Sequence, residues 1–123
     1  LSPALSGRRN LGDWARLNGL VDDDEAIDRA LDRMQARGFA ELPVRHLSHG
    51  QRRRVALARL TLGQTYALWL LDEPNAGLDA ASSIALDDLI SGHLEGGGMV
   101  LAATHLPLGV SHKPRALTLE AAS

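Results

Sequence analysis

The sequence predicts an α/β domain with a parallel sheet, preceded by a largely helical region. Two short apolar runs, at residues 67–71 and 99–103, are typical of strands that are buried in a sheet. A helical pattern lies between them, and a helical crossover joins neighbouring strands in parallel. The chain has 123 residues, which is enough for one domain with a modest core.

The composition excludes several classes of protein. The chain has no cysteine, so disulfides and thiolate metal sites are excluded. Its net charge of -2 argues against a general nucleic-acid binder. No apolar run is long enough to span a bilayer and the first residues lack a signal-peptide pattern, so we expect a cytoplasmic chain that reaches a membrane only through a partner.

Two helices are predicted first. Residues 8–17 have one apolar face and are followed by Asn18 and Gly19, which end the helix. Residues 22–24 are three aspartates, which offer an N-cap and favourable charge to a second helix. That helix is expected to stop at Gly38, and its apolar face consists of Ile27, Ala30, Leu31 and Met34.

The remaining elements are placed by the same signals. Residues 41–47 contain Pro43 and are expected to be an extended connector, after which Ser48 caps a third helix that runs to about Leu62. A fourth helix is expected over residues 79–90, and a last strand over residues 115–119. The core candidates of the fourth helix are Ile84, Leu86 and Leu89.

An acid pair closes the first apolar run. Asp72 and Glu73 follow residues 68–71, and Pro74 ends the strand because it cannot donate to a ladder. Ligands of open α/β sheets bind at the edge where parallel strands end. One acid there can hold Mg²⁺, usually through water, and the next can act as general base on an attacking water. The alternative is an Asp-Glu-Pro turn after any buried strand.

Two further segments carry candidate chemistry. Ser48, followed by His49, Gly50 and Gln51, caps a helix whose free N–H groups and dipole favour an anion such as a γ-phosphate. His105 follows Thr104 after the second apolar run, where an imidazole can contact a phosphate or orient water. The alternatives are an ordinary capped helix with a solvated arginine-rich face, and a structural or solvated histidine.

In this order and spacing, the segments resemble the ATPase domain of ABC transporters, which has a P-loop NTPase-like fold. Residues 47–51 are similar to the signature motif, with His49 where a second glycine is usual. Residues 68–72 resemble Walker B, and residues 76–79 resemble the D-loop. Glu73 falls at the position of the catalytic glutamate and His105 at that of the switch histidine.

The resemblance implies an organisation and a set of roles. Residues 1–46 would be mostly helical subdomain, and residues 47–123 the signature helix and the C-terminal part of the ATP-binding core. The cofactors would be ATP and Mg²⁺, with a second ATPase subunit in a head-to-tail dimer. Glu73 and His105 would be catalytic, and Asp72 would hold Mg²⁺. The partner subunit's ATP would be bound by Ser48, His49, Gly50, Gln51 and Asp79.

Two motifs of the family do not occur in these residues. No Gly-x-x-x-x-Gly-Lys-Ser/Thr phosphate loop is present, and the glutamine loop would lie before Leu1. We therefore expect this sequence to be the C-terminal part of such a domain, with the N-terminal half missing, and to be inactive by itself. The sequence does not decide between truncation and a naturally inactive or regulatory module.

A narrower likeness is to the haem-exporter ATPases of cytochrome c maturation. It rests on residues 53–60, 68–74 and 104–108. It implies an ATPase that works with integral membrane subunits similar to CcmB and CcmC at the cytoplasmic face of the bacterial inner membrane. The alternatives are an ABC ATPase of another exporter and an ABC protein of DNA repair. The second is disfavoured because no long heptad insertion occurs.

Overall fold

The computed structural model describes residues 1–20, 22–62 and 67–104. In chain order, the helices and strands are α1 (Gly7–Leu17), α2 (Asp24–Arg33), α3 (His49–Leu62), β1 (Leu68–Asp72), α4 (Ala80–Glu95) and β2 (Met99–Ala103). Single 3-10 turns lie at Arg37–Phe39 and Val44–His46, between α2 and α3. The α/β class is confirmed. The strand predicted at residues 115–119 lies outside the described residues.

A side chain caps each of the first two helices, and the cap of α2 is one of the three aspartates predicted from the sequence. The Ser6 hydroxyl oxygen accepts a hydrogen bond of 3.1 Å from the backbone N–H of Arg9 at the start of α1. The Asp23 carboxylate accepts one of 3.1 Å from the N–H of Glu25 at the start of α2. Both helices pack against each other and against α3. Side-chain oxygens at these positions satisfy N–H groups that have no partner within the helix.

The predicted end of α2 at Gly38 is wrong. The helix ends at Arg33, and Gln35 takes the left-handed conformation, with φ of 53°. The backbone N–H of Ala36 then bonds to the carbonyl of Leu31 at 2.8 Å, which satisfies a carbonyl of the last turn. Gly38 lies in the following 3-10 turn. A glycine signal near the end of a helix therefore did not identify the residue that turns the chain.

The connector at residues 41–47 is not extended throughout. Val44–His46 forms a 3-10 turn, and the N–H of Val44 donates to the carbonyl of Leu5 at 2.9 Å. Pro43 forms an isolated bridge with Ser6. The connector is thus hydrogen-bonded to the residues that precede α1, and it leads directly into the start of α3.

The two strands form a parallel pair, as predicted. Leu68 pairs with Met99 and Asp72 pairs with Ala103, with α4 as the connection between the strands. The strand β1 begins one residue later than the predicted run and includes Asp72. Because the strands are parallel and end in register, the residues that follow each of them leave the sheet at the same edge.

The sheet buries only one of its faces. Trp69 and Leu71 are buried, whereas Leu70 of β1 is 69% exposed and Leu101, its neighbour on β2, is 62% exposed. Among the described residues, the predicted burial of these two strands thus applies to one face of the sheet. Alternation of the side chains puts residues 69 and 71 on the face that packs against helices.

On α4, some of the predicted core residues are buried and one is exposed. Leu86 and Leu89 are buried, but Ile84 is 61% exposed, so its assignment to the core is wrong. The buried face of the helix is completed by Ser82 and Ile90. Ile84 lies about half a helical turn from Leu86, and a single apolar residue does not show which face is covered.

One cluster of buried residues joins the helices to the covered face of the sheet. Its larger members are Leu11, Ile27, Leu31, Met34, Val44, Leu47, Val55, Leu57, Trp69, Leu71, Leu86, Leu89 and Ile90. The α3 helix packs against α1 and α2 on one side and against α4 on another. Within the part of the chain that the structure describes, no helix is both long and apolar enough to cross a membrane.

Candidate functional site

The start of α3 is closed by a reciprocal pair of hydrogen bonds. The Ser48 hydroxyl oxygen accepts from the backbone N–H of Gln51 at 3.1 Å, and the Gln51 side-chain oxygen accepts from the N–H of Ser48 at 2.9 Å. This arrangement is a capping box. The prediction that Ser48 caps the third helix is confirmed. Gln51, which was expected to touch nucleotide, uses its side-chain oxygen for the cap.

The capped turn keeps two backbone donors available. The N–H of Arg52 bonds to the carbonyl of Ser48 at 2.9 Å, whereas the N–H groups of His49 and Gly50 have no acceptor among the described residues. Such N–H groups lie at the positive end of the helix dipole and favour an anion. His49 itself is exposed.

The acid pair lies at the edge of the sheet where both strands end. Asp72 is exposed at the end of β1, and the half-buried Glu73 is the next residue. The N–H of Glu73 donates to the carbonyl of Ala103 at 2.7 Å, so β2 holds its backbone. Glu73 has φ of 44°, a left-handed conformation that side chains with a Cβ disfavour. Its carbonyl accepts from the N–H of Ala76 at 3.1 Å and so closes a turn.

Arg53 joins α3 to this turn. Its Nη2 nitrogen donates to the backbone carbonyl of Asp72 at 2.9 Å and to that of Glu73 at 2.5 Å. The Arg53 Nε nitrogen is buried and has no hydrogen-bond partner in the described part of the chain. The sequence analysis placed Arg53 only in an arginine-rich helix face. The spacing of residues along the sequence does not show that Arg53, one turn after the cap, lies on the side of the helix that contacts the acid pair.

The signature segment also touches the predicted D-loop of its own chain. Gly77 has φ of 74°, and a Cβ added there would lie 2.9 Å from Cδ2 of the His49 imidazole. A Cβ added at Gly50 would lie 3.0 Å from the carbonyl oxygen of Gly77. Two glycines therefore permit a close approach between the start of α3 and the turn after β1.

Asp79 has a structural partner of its own. Its carboxylate accepts from the backbone N–H of Ser82 at 2.8 Å and caps α4. The Ser82 hydroxyl and backbone N–H beside the carboxylate lower the pKa of Asp79, and the positive charge of Arg54 lowers it further. The Asp79 carboxylate is exposed, so it caps the helix and remains accessible at the surface.

The end of β2 is tied to the same turn. The Thr104 hydroxyl donates to the side-chain oxygen of Asn75 at 3.2 Å. Sequence reasoning did not single out Asn75, and its polar side chain inside the turn after Pro74 was the only signal. His105, the predicted switch histidine, lies outside the described residues.

The structure thus brings together most of the predicted site within one chain. The capped start of α3, the acid turn and the cap of α4 meet through Arg53, His49 and Gly77. Chemically, the start of α3 offers N–H donors for an anion, and the sheet edge offers an exposed carboxylate at Asp72 and a second carboxylate at Glu73. In residues 1–20, 22–62 and 67–104, no group of three or more metal-binding side chains is close enough to hold a metal ion by itself.

Comparisons with known proteins agree with this arrangement. A family model described as ABC transporter matches residues 1–76. The cytochrome c biogenesis ATP-binding export protein CcmA of Mesorhizobium japonicum is 48% identical over 110 residues, which cover 89% of this chain and 53% of that protein. The CcmA protein of Nitrobacter hamburgensis is 44% identical over 113 residues, which cover 90% of this chain and 55% of that protein.

Solved structures give the same fold. A dimeric bacterial ABC transporter cassette aligns with a TM-score of 0.73 and 27% identity, covering 85% of this chain and 48% of that one. The same cassette in a post-hydrolysis state bound to ADP and Pi aligns with a TM-score of 0.71 and 25% identity, again over 85% of this chain and 48% of that one.

The chain spans about half the length of the curated relatives that it matches. The family model nevertheless covers more than half of the chain, and it includes the capped α3 and the acid turn. The P-loop NTPase-like fold expected from the motifs agrees with the solved cassettes. The chain belongs to the ABC transporter family.

Proposed function

We propose that this chain is part of an ATP-hydrolysing subunit of an ABC transporter that couples hydrolysis to haem export or handling in cytochrome c biogenesis. The observation that carries the proposal is the acid pair at the sheet edge, held beside a capped helix start by Arg53. The similarity to CcmA proteins supports the narrower transport role.

In the proposed reaction, Glu73 is the general base. It accepts a proton from a water molecule whose oxygen attacks the γ-phosphorus of ATP. The bond between that phosphorus and the bridging oxygen breaks, and ADP and phosphate leave. The turn supports this role because it fixes the Glu73 backbone on both sides, through Ala103 and Arg53. His105 would contact the γ-phosphate, a role that rests on its sequence position.

Asp72 fits a magnesium site. Mg²⁺ is commonly held by one or two carboxylates together with waters and substrate phosphates. Asp72 offers an exposed carboxylate at the sheet edge where phosphates are expected, and it would hold the ion through water. When bound, Mg²⁺ neutralises charge on the phosphates.

The proposed active form is a head-to-tail dimer. In it, Ser48, His49, Gly50 and Gln51 act on ATP held by the partner subunit, and Asp79 lies at the same junction. The N–H groups of His49 and Gly50, which have no acceptor among the described residues, support this role. The side chains of Ser48 and Gln51 contribute by fixing the geometry of that turn.

The proposed membrane partners are integral subunits similar to CcmB and CcmC. The ATPase would then work at the cytoplasmic face of the bacterial inner membrane, attached through those subunits. Within the chain, residues 1–46 would form most of the helical subdomain, and residues 47–123 the signature helix and part of the ATP-binding core. The packing of α1 and α2 on α3 is compatible with this division.

The test uses a chain that carries a phosphate loop. We define the fusion enzyme as this sequence joined behind an amino-terminal ABC ATPase segment that contains a Gly-x-x-x-x-Gly-Lys-Ser/Thr phosphate loop. The parent fusion enzyme is expected to hydrolyse Mg-ATP, and Glu73→Gln is expected to lower kcat by about 100-fold or more, since a positioned base contributes about 10²–10⁴-fold. Binding of ATP should persist, because the substitution removes a base and retains the shape of the side chain.

Phosphate release and nucleotide binding are measured on the same preparations. Asp72→Asn serves as the matched carboxylate-to-amide control, and its activity should recover partly at higher Mg²⁺. Hydrolysis by Glu73→Gln at the parent rate would contradict the assignment of the base. An inactive parent fusion enzyme that binds no ATP would contradict the proposed function itself.

A further inference from the structure

Arg53 is the side chain that connects the signature helix to the acid turn of the same chain. Its Nη2 nitrogen donates to two successive backbone carbonyls, those of Asp72 and Glu73, at 2.9 and 2.5 Å. These carbonyls flank the point at which β1 ends and the chain reverses. The contact therefore acts on the backbone that presents the Glu73 carboxylate.

The Arg53 side chain combines an unpaired buried donor with bonds to two backbone carbonyls. The Arg53 Nε nitrogen is buried without a hydrogen-bond partner in the described part of the chain, and an unpaired buried donor costs free energy. A residue chosen for packing alone would avoid that cost. A guanidinium at this position is explained by its Nη2 nitrogen, which makes charge-assisted hydrogen bonds to the two carbonyls.

The backbone of Glu73 needs such support. Its φ of 44° is disfavoured for any residue with a Cβ, and conformations of this kind persist where the surroundings fix them. Three hydrogen bonds do so: the Glu73 N–H donates to Ala103 at 2.7 Å, and the Glu73 carbonyl accepts from Ala76 and from Arg53. Of these, only the bond from Arg53 comes from outside the strand pair and its turn.

We propose that Arg53 is a positioning residue for the Glu73 carboxylate and that it couples the start of α3 to the catalytic turn within one subunit. The inference rests on the proposed function, in which Glu73 is the base. Arg53 touches neither the nucleotide nor the attacking water in this scheme. It acts by holding the left-handed turn, so its loss should misplace the carboxylate and leave the grip on ATP unchanged.

The test is Arg53→Met in the fusion enzyme, with Arg52→Met as the matched control. Arg52 lies on the same helix and also donates to two carbonyls, those of Leu47 and Arg45, at 3.2 and 3.3 Å. We expect Arg53→Met to lower kcat by about 10- to 100-fold, as a misplacement of about 1 Å can do. The KM for ATP should change by less than about threefold, since only an interaction of the transition state is lost.

Two further variants separate positioning from folding. Arg53→Lys retains a cation that can reach one carbonyl, and it should recover part of the lost kcat. If Arg53→Met does not fold, Arg53→Gln is judged by the same kcat and KM criteria. A fall in kcat no larger than that of Arg52→Met, or a loss that appears only as a higher KM, would overturn the inference.

Amide hydrogen exchange tests the inference without a measurement of ATPase activity. In Arg53→Met, the backbone amides of Glu73, Asn75 and Ala76 should exchange at least about tenfold faster than in Arg52→Met, because opening of the turn becomes easier. Equal exchange in the two variants would overturn the role of Arg53 even if Glu73 is the base. An active parent enzyme that Glu73→Gln leaves unchanged would instead contradict the proposed function.

Discussion

The helical region and the sheet region of this chain are stabilised in different ways. In the helices α1, α2 and α3, the large apolar residues pack together, and Leu31 and Met34 are completely buried. In the sheet, β1 and β2 bury one face only, and Leu70 and Leu101 stay exposed on the other. The helical region is held by a closed core, whereas the sheet is held by one covered face and a few polar contacts.

A network of charges adds to the difference. Arg8 bonds to Asp28 at 2.5 Å and to Glu41 at 2.6 Å, and Arg37 bonds to Asp28 and Asp32 at 3.2 and 3.0 Å. These pairs tie α1 and α2 to the turns that follow.

The comparison shows where the candidate site gets its geometry. Asp72 and Glu73 lie at the end of the less buried region, yet their turn is held by Arg53 of α3 and packs closely against Gly50. Contacts from the helical region therefore orient the turn at the end of the sheet. Functional segments are commonly found at the low-stability end of a fold, where they can move.

The largest expected effect is a difference in the free energy of unfolding between a variant in the helical region and a variant in the sheet. Leu31→Ala should destabilise the chain by about 2–5 kcal/mol, since it removes a completely buried side chain and leaves a cavity. Leu70→Ser should change the free energy of unfolding by less than about 0.5 kcal/mol, because Leu70 is mostly exposed. Urea denaturation of the parent chain and both variants measures this difference.

The same pair of variants tests the exposed face. Leu70→Ser should also reduce self-association in light scattering, because it interrupts an apolar surface that includes Leu101 and Met99. Leu31→Ala should not reduce it. Equal destabilisation by the two substitutions would mean that the Leu70 face is covered in solution, and the contrast between the regions would fail.

A smaller effect compares two helical glycines. A Cβ at Gly92 of α4 would meet nothing within 4 Å, whereas a Cβ at Gly50 of α3 would lie 3.0 Å from the backbone carbonyl of Gly77. Gly92→Ala should therefore stabilise the chain by about 0.5–1 kcal/mol through helix propensity. Gly50→Ala should show no such gain, because the turn after β1 must shift.

Both substitutions are made in the fusion enzyme, and their effects are measured by thermal denaturation and by ATPase activity. Gly92→Ala should keep parent activity, and Gly50→Ala should lose it through displacement of the Gly77 turn. A Gly50→Ala variant that gains as much stability as Gly92→Ala would show that the close approach between α3 and the turn does not persist in solution.

The smallest expected effect concerns the charge network. The hydrogen bond from Arg8 lowers the pKa of Asp28, and the charges of Arg8 and Arg37 lower it further. The stability that this carboxylate contributes is therefore present above the ordinary carboxyl pKa of about 3.9 and is lost as the pH falls through its lowered value in the folded chain. Arg8→Met should reduce the urea midpoint at pH 7, and its difference from the parent should shrink towards pH 2.

The matched control is Arg9→Met, which removes a longer pair of 3.6 Å between Arg9 and Asp13 on one helix. This variant should show a smaller difference at pH 7. Because exposed charges are screened, 1 M salt should reduce the effect of Arg8→Met. A difference from the parent that stays constant from pH 7 to pH 2 would show that Arg8 acts through packing and not through Asp28.

Much of the fold was predictable because its signals are local. The caps at Asp23 and Ser48 and the parallel pairing of two apolar runs depend on neighbouring residues and on periodicity, and all are found in the structure. The errors at Gly38 and Ile84 have one cause. Which residue turns the chain, and which face of a helix is covered, depend on what packs against them.

By itself, the sequence determined the α/β class, the order of the elements and the family resemblance, since motif order and helix caps are properties of the linear chain. Only the tertiary structure decided that Arg53 reaches the carbonyls of Asp72 and Glu73, and that His49 lies against Gly77. The physical reason is that these contacts join residues far apart in sequence. Their geometry depends on how α3 packs against the sheet, and no local pattern encodes that angle.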